Sequence, residues 1–276
     1  MDTSKGLMGQ HAKFADAFEA EMTPQQLRTL TPAVYASAPH AKMSARYAFV
    51  PTAQVIETMN QAGFCVVEAR QSQARTREPA TAAHALRFRR RRTEVLVNEV
   101  IPEILVLNSH DGSTSYHVRI ALYRALCGNG LIVGDGAFPV WKVPHRGTVA
   151  AQILEAALGL SERFGELGQT IEAMRGTLLS VPQRLAFAAD ALSLRYPGEV
   201  AGVAVAPADL LKAKRREDEG CDLWRTLNVV QEHLLRGGVS RRTPTNRRVT
   251  TKGIRAVRED VRLNVGLWDR AMLDVA

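Results

Sequence analysis

The spacing of apolar residues changes period near residue 148, and this change constrains the fold more than any single motif does. From Val149 onward Val149, Ile153, Ala157, Leu160, Phe164, Leu167, Ile171, Met174 and Leu178 recur at intervals of three and four. That is one helical stripe kept up for about four heptads. Upstream, short runs of strand length dominate, several with residues of alternating character. A chain with strands first and helices after is expected to be α+β, with an antiparallel or mixed sheet domain carrying packed helices and a helical C-terminal half. The expected divisions are a loosely structured lead-in over 1–45, a sheet core over 46–147, and a helical region over 148–276 with a basic loop at 237–253. A stripe as long as 149–178 needs a partner, either the chain's own sheet or a second copy in a homo-oligomer.

Within the sheet core, YAFVPTAQVIETMNQAGF predicts a short strand and then a helix opening near Pro51 and Thr52 and closed by Gly63. FCVVEARQSQ follows as a strand. In ALRFRRRRTEVLVN, Leu86 and Phe88 alternate with Arg87, Arg89 and Arg91, which predicts a strand with one apolar and one cationic face. VIPEILVLNS, LIVG and FPVWKVPH are further strand candidates. Downstream, helices are predicted from Ser180 and Pro182 through Leu194, from Pro207, over DLWRTLNVVQEHLLRGG to Gly237 and Gly238, and over a tail from Thr250 that includes Ile254, Val257, Val261 and Trp268.

The stretch NSHDGSTSYHVRIALYRALCGNG, from Asn108 to Gly130, allows several chemistries. His110 and Asp111 offer a nitrogen and an oxygen ligand, with His145 as another histidine to join them. No HExxH and no second HD pair accompanies them, so a metal-dependent enzyme stays an alternative with two adjacent residues behind it. Ser109, Ser113, Ser115 and Cys127 lack a GxSxG or cysteine-nucleophile frame, and no Walker A sequence occurs. Val118, Leu122, Ala125 and Leu126 predict a helix after the turn, capped by Ser113, Thr114 or Ser115. Asn108, His110, Asp111, Gly112, Ser113, Thr114 and Ser115 then form a candidate anion-binding turn at that helix's positive end.

Charge narrows the partner. The 36 Lys+Arg against 28 Asp+Glu give a net charge of +8 and a pI near 9.7, which favours polyanions. Much of the excess sits in two runs. Arg87, Arg89, Arg90, Arg91 and Arg92 lie together, and GGVSRRTPTNRRVTTKGIRAVR holds Arg241, Arg242, Arg247, Arg248, Lys252, Arg255 and Arg258 without an acid. Guanidinium forks pair bidentately with phosphate oxygens. Three scattered cysteines support neither a zinc knuckle nor a disulfide framework. An N-terminus without an apolar core segment and the absence of any long apolar run predict a soluble, cytoplasmic protein that engages no membrane. No cofactor and no resident metal is expected.

ARYAFVPT, VIPEILVLNSHDGSTSY, RALCGNGL, VPHRG, LWRTLNVVQEHLLRGGVSRRT and DVRLNVGLW together resemble the YfjQ/YafZ-type family of prophage and plasmid proteins, from about Thr31 to Trp268. Gly128 stands where many relatives carry Ser or Thr, and the arginine run after Phe88 is longer here. The resemblance implies a mobile-element origin and a DNA-related context, and it carries over no catalytic residue. The expectation is a non-enzymatic DNA-binding protein, preferring single strands, that serves recombination, annealing or replication. The nucleic-acid contacts are assigned to Arg87, Arg89, Arg91, Arg92, Arg241, Arg242, Arg247, Arg248, Lys252 and Arg255. A second expectation is an interaction protein that inhibits a host defence or replication factor.

Overall fold

The computed structural model describes residues 21–44, 47–72, 78–91, 100–126, 128–134, 136, 138–197, 205–242 and 247–275. It divides into two compact units, 1–133 with 138–165, and 134–137 with 166–276. None of the described helices is long and apolar enough to cross a membrane.

The first unit is an antiparallel sheet with helices. A capped turn of helix, α1 (Pro24–Leu30), and a 3-10 turn at Pro32–Tyr35 precede α2 (Thr52–Gln61). Gly63, at φ +87°, then turns the chain into β1 (Phe64–Gln71). Strands β2 (His84–Arg90), β3 (Val100–Asn108), β4 (Tyr116–Arg124) and β5 (Asn129–Ile132) follow in sheet order, every pair antiparallel. β6 (Trp141–Val143) pairs with the start of β4 while β5 pairs with its end, so the two share one edge. Register aligns Leu86, Val106 and Val118 in one row and Phe88, Ile104 and Ile120 in the next, all buried. Thr52 opens α2 and touches His84, Asn108 and Tyr116, which lie on that same face. α2 therefore covers it. α3 (Val149–Glu162) adds buried Val149, Ile153, Ala157 and Leu160 and packs against β4, β6 and α2.

The second unit is built from helices and one hairpin. After α4 (Phe164–Gly176) come α5 (Val181–Arg195), α6 (Pro207–Leu210), α7 (Leu223–Arg236) and α8 (Val257–Met272). Ser180 and Gln183 form a capping box at α5, an arrangement that satisfies two otherwise orphaned amides. Asp222 caps α7 by accepting the amide of Arg225 at 2.9 Å, and Gly237, at φ +71°, ends the helix. Strands β7 (Gly237–Arg242) and β8 (Arg248–Lys252) then form a two-stranded antiparallel ribbon.

Four expectations are corrected. Residues 116–124 are a strand, not a helix. Both faces of β4 are buried, which erased the alternation that would have marked it as one. The 149–178 stripe is two helices, interrupted at Arg163, and its positions from Val149 to Met174 are buried in the chain's own units except at Phe164, which is half-buried. The described part of 237–253 is a ribbon where a loop was expected, and the final helix begins at Val257.

Candidate nucleic-acid interface and a buried histidine cluster

The two arginine runs have different surroundings. On β2, Arg87 and Arg89 are 6% and 4% exposed and share the carboxylate of Glu103, itself 1% exposed, on β3. Arg87 Nη1 donates to Glu103 Oε2 at 3.0 Å and Arg89 Nη2 to Oε1 at 2.6 Å. Arg87 Nε also stands 3.3 Å from Glu68 Oε2, and the Arg89 guanidinium lies 5.1 Å above the Tyr123 ring. A Cβ at Gly130 would collide with the Arg87 guanidinium, so glycine is what lets that head sit there. Arg87 and Arg89 are thus internal structure, whereas Arg90, at the end of β2, is exposed. Arg91 is exposed and grips Glu21 through two bonds of 2.7 and 2.9 Å. Arg92 lies outside the described residues.

The ribbon is the reverse case. Along β8, Arg248, Thr250 and Lys252 are exposed while Val249 and Thr251 are half-buried. Arg247 and Arg255 are exposed beside it. Register sets Ser240 opposite Thr250, and Arg242 opposite Arg248. Arg248 donates to the Ser240 hydroxyl, through Nε at 3.3 Å and Nη2 at 3.1 Å. Among the described residues no carboxylate pairs with Arg248, Lys252 or Arg255. Arg241 and Arg242 belong to β7 by backbone position.

The helix whose positive end was expected to hold an anion at the 108–115 turn is absent, since a strand follows the turn, and side chains of the turn occupy the amides of Ser113 and Thr114. Ser113 donates its amide to Asp111 Oδ1 at 2.9 Å and Thr114 donates its amide to Ser109 Oγ at 2.9 Å. The Ser113 hydroxyl also bonds Asp111, whose carboxylate repels anions. Gly112 makes the turn at φ +72°. Ser115 is half-buried at the start of β4.

Behind this turn is a polar cluster that sequence reasoning found only in part. Thr52 Oγ1 lies 2.9 Å from His84 Nε2, 3.2 Å from the Tyr116 hydroxyl, 3.3 Å from Asn108 Nδ2 and 3.4 Å from His110 Nε2. His84 Nδ1 is 2.9 Å from the Ala82 carbonyl, which can only accept, so Nδ1 holds the ring proton and Nε2 accepts from Thr52. By the same argument His110 donates Nε2–H to the Ala33 carbonyl at 3.1 Å. His110 Nδ1 and Asn108 Oδ1, both buried, have no hydrogen-bond partner among the described residues. Tyr47 stacks on His145 with ring centroids 4.4 Å apart and closes the outer side, half-buried, donating to the Ser109 carbonyl at 3.3 Å.

Burial dominates the electrostatics. It pulls His84 down to about 4, and it pulls His110, beside the His84 and His145 rings, down to about 3. His145 is lowered by burial as well. Burial, then the nearby Asp111 carboxylate, pushes Tyr47 up to about 12, and burial raises Tyr116. At neutral pH the cluster is therefore an uncharged hydrogen-bonding network. Thr52, His84 and Tyr116 are sealed from water, so the cluster ties the ends of β2, β3 and β4 to the start of α2. Among the described residues no group of three His, Cys, Asp or Glu side chains could hold a metal ion. His110 and Asp111 turn to different partners.

Of the cluster, His110, Asn108 and His145 were singled out in sequence, whereas Tyr47, Thr52, His84 and Tyr116 were not. The available signal was that ARYAFVPT, VIPEILVLNSHDGSTSY and VPHRG, three of the stretches that carry the resemblance, all contribute to it.

A family model described as a Domain of unknown function (DUF932) matches residues 39–268. Two Escherichia coli (strain K12) proteins are similar over most of the chain. The UPF0380 protein YafZ is 34% identical over 248 residues, covering 90% of this chain and 89% of its own length. The UPF0380 protein YfjQ is 34% identical with the same coverage. No solved structure matches the chain at a significant level.

Proposed function

The chain belongs to the DUF932 family, and from that premise we propose that it binds nucleic acid by its phosphate backbone through the β7–β8 ribbon. The observation that carries this reading is the exposed row Arg248, Thr250 and Lys252, continued by Arg255, with no carboxylate partner among the described residues. A net charge of +8 adds long-range attraction to the same partner.

The interface differs from the expected one. Arg87 and Arg89 are neutralised inside the first unit, and with them goes the sheet face that favoured single strands. Phe88, the aromatic of that face, is buried in the core. The mobile-element setting implied by the resemblance makes DNA the nucleic acid to test first.

Mobility shifts with unrelated oligonucleotides across a salt series test the proposal. Binding should weaken linearly in log salt, with a slope of about −0.9 per phosphate contact on duplex or about −0.7 on single strands. Absence of any retarded band at low salt overturns it.

A further inference from the structure

The ribbon's geometry carries the reading one step further, to the form of nucleic acid, and this step rests on the function proposed above. We infer that the β7–β8 ribbon takes duplex DNA, lying in the major groove with its exposed face toward the base edges. Three features of the ribbon lead there.

The first is shape. Two antiparallel strands about 4.8 Å apart form a narrow slab, and the major groove, about 12 Å wide, admits such a ribbon. The second is the order of side chains on the exposed face. Ser240 and Thr250 are register partners at its middle, Arg248 is at one end and Lys252 at the other. Four residues of strand separate the two cations by about 13 Å, so with the strands running along the groove each cation can reach a phosphate at its rim while the short hydroxyls between them meet base edges. Serine and threonine hydroxyls both donate and accept, which suits such contacts. Arg248 rests on the Ser240 hydroxyl, so engaging a phosphate breaks no ion pair among the described residues. The third is what the ribbon lacks. Residues 237–256 contain no Phe, Tyr, Trp or His, and binding to single strands draws much of its energy from bases stacked on aromatic rings.

The ribbon is also held firmly at its base. A Cβ at Gly237 would meet the backbone of Thr251 to Gly253 at 2.6 to 2.7 Å, and one at Gly253 would meet the Arg236 carbonyl at 2.8 Å. Ile254 donates its amide to the Leu235 carbonyl at 2.8 Å and Val239 its amide to Thr251 Oγ1 at 3.1 Å. The strands thus leave the end of α7 in a fixed direction, so little ordering entropy is lost on docking.

The experiment compares a mixed-sequence duplex with each of its separated strands at matched salt, using the full chain. Duplex is expected to bind at least ~10-fold more tightly, and the Arg248→Ala, Lys252→Ala double variant to lower the duplex salt slope by about two contacts. Dimethyl sulfate should find guanine N7, a major-groove atom, protected beneath the protein. Tighter binding to single strands, or unprotected N7 in a bound duplex, overturns the groove assignment and leaves backbone binding standing. Failure of both forms to bind removes backbone binding and the groove assignment together.

Discussion

Strand β2 and strand β8 both alternate basic residues with others, yet Arg87 and Arg89 are locked onto Glu103 while Arg248 and Lys252 face water beside short hydroxyls. The difference comes from the neighbouring strand. β2 is an interior strand whose partner supplies a buried carboxylate at matching register, whereas β8 has one partner, itself basic. Arginine on a strand is therefore no indication of a binding surface until its neighbour is known. A buried guanidinium must be paired because an isolated charge in low dielectric is very costly. An exposed one costs little to leave unpaired, which leaves it available to a partner.

The sharpest way to break this contrast is to remove the shared carboxylate. Glu103→Ala leaves two buried guanidiniums without their common acceptor and should destabilise the first unit by about 3–5 kcal/mol, read from the denaturant midpoint. The same substitution should leave the salt dependence of DNA binding intact in protein that remains folded. A midpoint unchanged from the parent would mean that the β2 arginines are solvated, and the two regions would then be alike.

Acid should act next most strongly, on the first unit through its buried histidines. His84 titrates at about 4 in the folded chain, against about 6.5 for a free imidazole. Below that ordinary value the unfolded chain takes up a proton that the folded chain refuses, so this stability is fully present above about pH 7 and is lost as pH falls toward 4. Each pH unit between the two titration points is worth about 1.4 kcal/mol, so the loss through His84 is roughly 3 kcal/mol. His110, lowered for the same reason, deepens it. Denaturant midpoints from pH 7 to 4 measure this, and a flat profile between pH 7 and 5 would show that the histidines reach water. Gly130→Ala should follow, because its methyl group must displace the Arg87 head in a packed site. A cost of about 1–3 kcal/mol is expected, and a neutral result would mean that Arg87 is free to move.

Much of this architecture could be anticipated and some of it could not, for reasons tied to particular residues. The turn at Gly63 and the stop at Gly237 are local signals and stand as expected. The alternation of Arg87 and Arg89 with Leu86 and Phe88 correctly marked a strand, but which face met solvent depended on Glu103, a residue of another strand. β4 resembled a helix because Val118, Leu122 and Ala125 fit its spacing equally well once both strand faces are apolar. Gly, Pro and Thr made 237–253 resemble a loop, although Val239, Val249 and Thr251 supply the inward side of the ribbon. The histidine cluster draws on five stretches of chain, and no window along the sequence contains it.

The smallest expected effect is the most informative about the ribbon, because stability and binding should move in opposite directions. Arg248→Thr substitutes a β-branched residue well suited to the exposed strand position that Arg248 holds. It also gives up two bonds to Ser240 at an exposed site, where such contacts contribute little. Cross-strand pairs are worth about 0.2–1 kcal/mol, so the denaturant midpoint should hold or rise slightly while DNA affinity falls and the salt slope loses about one contact. The same exchange at Arg89 should unfold the first unit, because Glu103 would lose one of its two partners in a site that water does not reach. If Arg248→Thr costs as much stability as Arg89→Thr, the exposed arginine is structural too, and the ribbon has no more claim to a polyanion than β2 has.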